Sequence, residues 1–201
     1  MRWAIIIGLL WVGGQTMAQN RPYPYRENWY AGMVVDKNSD TLSGKIQFDW
    51  ETNSLKIKAN QNATVKTFSA SNALFFEFYD PVWKYNRQFQ SYYYAKRGTY
   101  EVPIFFEVIQ AGTTSVLMRE NDNNSIGLNV KKLSKAAFEC YFGFADGSVK
   151  KYDGTPRNLF ALLPNHQDEV KIFIERKRLD YGLLGDIVRI VMFYNSLDGL
   201  N

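Results

Sequence analysis

Two periods of apolar residues meet at Gly154, and this change of period narrows the folds open to the chain more than any other feature. From Trp29 to Tyr152, short segments alternate apolar and polar residues, the period-2 signature of strands with one wet face. Ile46, Phe48 and Trp50 share one side of a segment whose other side carries Lys45, Gln47 and Asp49. Leu55, Ile57 and Ala59 repeat the pattern against Lys56 and Lys58. Clusters rich in Gly, Asn, Asp and Ser separate such segments at 37–40, 111–112, 121–124 and 145–147. These residue types favour tight turns, and each cluster joins two strand-like runs, so antiparallel hairpins are predicted.

Beyond Gly154 the spacing becomes helical. Thr155 followed by Pro156 reads as an N-cap and first helical position, opening a short helix that runs through Leu163 and is stopped by Pro164. Asn165 is placed to cap a second helix, with Asp168 three positions on and Val170, Phe173, Ile174 and Lys177 along one face. A third helix is predicted from about Leu183 to Asn195, where Leu184, Ile187, Val188, Ile190, Val191 and Tyr194 form a wide apolar stripe. The predicted fold class is therefore α+β, in a single domain over 29–201. A mainly antiparallel β body of hairpins or meander, sandwich- or barrel-like, occupies 29–152. A C-terminal segment of about three short helices follows over 155–197.

The first eighteen residues have a different character. Arg2 supplies a positive start, Trp3 to Gly14 carries no charge, and Thr16-Met17-Ala18 puts small side chains where signal peptidase inspects them. Cleavage after Ala18 is expected, with 19–28 as an N-terminal extension of the domain. A membrane anchor would need about 20 apolar residues, and this run ends at Gly13-Gly14 before polar Gln15 and Thr16. The expected setting is thus exported, whether periplasmic, envelope-associated or secreted, with no transmembrane helix after cleavage. Removing eighteen of the 201 residues leaves 183, enough for a sizeable core. Cys140 is the one cysteine, so no intramolecular disulfide is possible, and such a core is required. Without Arg2, 23 basic side chains face 20 acidic ones, a balance too even to predict a nucleic-acid partner.

Several short runs carry a resemblance. Trp29-Tyr30-Ala31-Gly32, Leu42-Ser43-Gly44-Lys45-Ile46, Phe105-Phe106-Glu107-Val108 with Gly112 beyond it, and Ile187 to Asn195 ending in Phe193-Tyr194-Asn195 resemble a group of small exported proteins of Bacteroidetes bacteria. The resemblance covers most of the chain after Ala18. It implies a cell-envelope or secreted setting and brings no catalytic residues with it.

Chemistry has few candidates. A catalytic role for His166, the one histidine, would need a nucleophile and an orienting acid that no local motif marks, so a surface or helix-capping role is expected. Zinc usually draws three or four ligands from Cys and His, and this chain has one of each. The run Asn121-Asp122-Asn123-Asn124 lacks the spaced acids of a calcium loop and reads as a turn. Neither a metal nor a cofactor is predicted. Cys140 alternates with Phe138, Phe142 and Phe144, which makes it a buried small apolar residue.

Glu77 and Glu107 are the candidate catalytic carboxylates, because each lies in a strand with apolar neighbours on both sides, and a buried unpaired acid can serve as a general acid. Pairing with an arginine is the competing expectation. A two-residue turn at Ala111-Gly112 would set Glu107 opposite Val116 and leave Arg119 on the other face, so a partner must come from another strand. The candidate binding residues are Trp83, Tyr85, Tyr92, Tyr94 and Arg97, in an aromatic and basic stretch that reads first as core strand and second as a sticky surface. The function expected is a non-catalytic binding or structural module taking an envelope protein or glycan. The alternative is a hydrolase of polysaccharide or peptidoglycan using Asp49 with Glu51, or Glu77 with Glu107.

Overall fold

The computed structural model describes residues 28–60, 62–81, 83–97, 99–120 and 138–198, except the side chains of 95–97 and 198. The expected signal peptide and the 121–124 turn lie outside those residues. The described residues adopt the predicted α+β class: one antiparallel ten-stranded sheet, then three helices.

The strands are β1 (Tyr30–Asp36), β2 (Thr41–Asp49), β3 (Ser54–Lys58), β4 (Lys66–Ser69) and β5 (Ala73–Asp80), followed by β6 (Tyr85–Arg97), β7 (Tyr100–Gln110), β8 (Thr114–Glu120), β9 (Phe138–Phe144) and β10 (Val149–Tyr152). Their order across the sheet is β10-β9-β8-β7-β6-β5-β1-β2-β3-β4. Three residues join β4 to β5, although β3, β2 and β1 lie between them in the sheet. The first half of the sheet must therefore roll until β4 returns toward β5. Asn72 fixes that corner: its N–H donates to Ser69 O (3.0 Å), its Oδ1 accepts from Ser69 N (2.7 Å), and its carbonyl accepts from Lys37 N (3.2 Å). Inside the roll, Ile46, Phe48, Leu55, Phe76 and Phe89 are buried, with Phe76 and Phe89 stacked at 4.5 Å. The alternation of β2 and β3 puts these residues inward and leaves Lys45 and Lys56 in water.

The second half rolls the opposite way. Phe106, Leu117 and Tyr141 are buried on the other face of the sheet, and β10 approaches β6 around them. This leaves Val116, Cys140, Phe142 and Tyr152 on the outside of the roll, where they need a cover. The helices α1 (Pro156–Leu162), α2 (Gln167–Lys177) and α3 (Leu184–Asp198) supply it with Leu159, Ile174, Ile187 and Ile190.

Thr155 caps α1 as expected, its side chain accepting from Asn158 N, with Pro156 in the first turn. The cap of α2 differs from expectation. His166, in a left-handed conformation (φ 52°), occupies the N-cap rather than Asn165, and its side chain makes no capping bond. Asp168 and Glu169 in the first turn complement the helix dipole there. The β7–β8 connection also differs. A bulge after Val108 and a longer link set Glu107 opposite Met118, two residues beyond Val116. A slip of two preserves the face, so Arg119 still points away from Glu107.

Candidate functional site

Glu107 is buried, and the arginine that holds it comes from β6. Tyr85, Arg87 and Phe89 share one face of β6 by alternation, and register sets Phe89 against Glu107. Arg87 Nε donates to Glu107 Oε1 (2.8 Å) and Arg87 Nη2 to Oε2 (2.6 Å), the bidentate geometry of a guanidinium on a carboxylate. The Tyr85 hydroxyl donates to Oε1 (3.2 Å), and Asp80 lies 3.7 Å from Arg87 Nη1. Burial, then the neighbouring Glu107 charge, pushes the Tyr85 phenol well above its ordinary value, so this hydroxyl remains a donor. Both carboxylate oxygens of Glu107 are thus engaged by fixed donors.

Glu77 is on the opposite face of the sheet. Its neighbours Phe76 and Phe78 point into the first core, whereas its own carboxylate accepts from Gln88 Nε2 (3.1 Å). Glu77 and Glu107 are therefore not brought together. Asp49 is occupied in the β2–β3 turn, where it accepts from Glu51 N (2.9 Å) and Thr52 Oγ1 (3.0 Å).

The aromatic stretch is divided by the length of β6. Nine residues separate Tyr85 from Tyr94, about 30 Å along a strand at ~3.3 Å per residue, so the five candidate binding residues do not form one site. Trp83 and Tyr85 are exposed at the start of β6, with Tyr85 tied to Glu107. Tyr92 and Tyr94 are half-buried against Phe106, and Tyr94 also meets Tyr141 edge-on at 5.2 Å. Burial raises the Tyr92 phenol above its ordinary value. The Arg97 side chain lies outside the described residues.

Tyr94 owes its position to a bulge. Tyr93 pairs with Pro103 and Ala95 with Val102, leaving Tyr94 as the extra residue opposite a proline that has no N–H to donate. Here β6 and β7 face the β9–β10 turn across a cleft of about 670 Å³. Tyr93 and Tyr94 line one side with Glu101, and Asp146, Gly147 and Ser148 line the other. Tyr93 is 57% exposed. Gly147 holds the turn at φ 82°, and hydrogen bonding from Ser148 keeps the Asp146 carboxyl below its ordinary value. An aromatic wall facing hydrogen-bonding groups can hold an extended chain by ring contact on one side and polar contact on the other.

Glu101 and Asp146 come together in this cleft without a sequence signal. Nothing in either local segment marks them, because only the second roll brings β7 and the β9–β10 turn together. Arg87 shares a face of β6 with the buried Phe89, but nothing in the local segment names Glu107 as its partner. His166 lies 6.5 Å from the Tyr194 ring at the α2 N-terminus, and Cys140 is buried beneath the helices. Among the described residues, no three His, Cys, Asp or Glu side chains gather in a way that could hold a metal ion. No family model, curated protein or solved structure matches the chain.

Proposed function

We propose that this protein is an exported, non-catalytic binding module of the cell envelope or its surroundings, which receives a partner protein or glycan in the cleft between β6–β7 and the β9–β10 turn. The observation that carries this reading is Tyr93, a large aromatic left 57% exposed at the mouth of a cleft whose other wall is polar. Tyrosines in such positions dominate recognition surfaces because they bury large area at small entropic cost. The engagement of Glu107 by Arg87 and Tyr85 supports a structural rather than catalytic role for that acid.

The test is crosslinking of the protein in its native envelope, repeated with Tyr93→Ala. Loss of about 2 kcal/mol at a hot spot corresponds to roughly thirtyfold weaker capture, with an unchanged melting temperature. Capture unaffected by Tyr93→Ala removes the cleft from consideration. Glu101 and Asp146 line the same cleft, and a pair of carboxyl groups is what a glycosidase uses, so a hydrolase is the second reading. Cleavage of envelope polysaccharide, abolished by Glu101→Gln with the fold intact, would establish it.

A further inference from the structure

A second aromatic site lies on the other half of the molecule, on the outer face of the first roll. Register runs Ala31, Lys45 and Lys58 side by side across β1, β2 and β3. On the other flank, Gly32 pairs with Phe78, so the next step of the β1–β5 ladder brings Tyr79 toward Ala31. The small Ala31 side chain lies in a depression of about 470 Å³ lined by Trp29, Lys45, Tyr79 and Pro81. That volume is within the range of small-molecule sites, roughly 300–1,000 Å³.

Its chemistry is aromatic and cationic. Tyr79 is 47% exposed, and Lys58 Nζ stands 4.2 Å from the Trp29 ring centroid. Lys45 and Lys58 sit directly opposite one another on neighbouring strands, an arrangement of like charges that weakens a sheet. Lys56, on the same outer face, adds a third positive charge. Among the described residues of these strands, the acids on this face are Glu77, which accepts from Gln88, and Asp49, which is committed to its turn. A bound anion would relieve the repulsion between Lys45 and Lys58.

We propose that Trp29, Lys45, Lys58 and Tyr79 form a subsite for an acidic sugar unit of a polysaccharide, with the lysines pairing to its carboxylate and the aromatic rings packing against the sugar ring. This subsite is separate from the Tyr93 cleft and does not depend on it. The experiment is calorimetric titration of the full chain with oligogalacturonate, with neutral dextran and poly-L-glutamate as companions. Oligogalacturonate is expected to bind, to weaken as salt rises, and to lose at least tenfold in affinity with Lys45→Gln or Tyr79→Ala, while Lys45→Arg and Tyr93→Ala retain it. Lys45→Gln should leave the melting temperature unchanged or higher, because it removes a like-charge pair. Absence of oligogalacturonate binding, equal binding of poly-L-glutamate, or indifference to Lys45→Gln would each overturn the assignment.

Discussion

At the scale of single residues, the buried charges around Glu107 are the point on which the most stability turns. Arg87→Ala would leave Glu107 and Asp80 as buried carboxylates without their guanidinium, and breaking a buried pair from one side costs about 3–5 kcal/mol. Glu107→Gln should cost less, because Asp80 still neutralises Arg87 and the amide can accept from Tyr85. Urea unfolding of both variants checks the order, and a milder Arg87→Ala would show that water reaches the cluster. Cys140 tests burial independently. Its desolvated thiol has its pKa pushed up to about 12 from an ordinary value near 9. Folding thus favours the protonated form: the contribution is complete below pH ~9 and is lost as pH rises toward 12. A thiol reagent at pH 8.5 should leave the native protein untouched and label one site in urea, and rapid native labelling would contradict the packing. Of these residues, Cys140 was legible from alternation alone. The partner of Glu107 was not, because the β7–β8 bulge and the β6–β7 register are set by pairing between strands distant in sequence.

At the scale of elements, α3 is held to the sheet by one polar clamp as well as by its apolar stripe. Asn195 Oδ1 accepts from Thr113 Oγ1 (2.9 Å) and Thr114 N (3.0 Å), and its Nδ2 donates to Thr114 O (2.8 Å). Gly112 makes room for it, since a Cβ there would lie 2.2 Å from Asn195 Nδ2. Two runs far apart in sequence, the Glu107–Gly112 segment and the end of Phe193-Tyr194-Asn195, are thereby joined. Gly32 and Gly44 likewise face each other across β1 and β2, where added side chains would press on the backbone of the next strand. Period and turn chemistry made the helices and most strands legible, whereas these contacts between elements had no local signal. Gly112→Ala and Asn195→Ala should each lower stability, and their double variant should fall short of the sum because they share one contact. Strict additivity in thermal melts would show that the clamp is idle. Ile187→Ala, at a fully buried position of α3, should cost about 2–5 kcal/mol on its own.

At the scale of the whole molecule, a single sheet serves two cores by rolling in opposite directions, and β6 and β7 belong to both. Phe89 and Phe105 face the first core while Tyr92 and Phe106 face the second, so the alternation of these two long strands is itself the joint between the halves. A one-sided alternation was legible in the early strands. The reversal was not, because Phe89 and Tyr92 on β6, and Phe105 and Phe106 on β7, put aromatic residues on both faces, and the sequence does not say which face is covered by helices. The second roll depends on that cover, since Val116, Cys140, Phe142 and Tyr152 are buried against α1–α3. A chain ending at Tyr152 would expose that apolar strip on β8–β10 and lose the hydrogen bond from Tyr152 to the Tyr181 carbonyl (2.9 Å). Such a fragment should be insoluble or lack a cooperative melt, and because β6 and β7 are shared, the first roll should lose its near-ultraviolet aromatic signal with the second. Recovery of a soluble fragment with the Phe76–Phe89 core intact would show that the halves fold independently and that the shared strands transmit no stability between them.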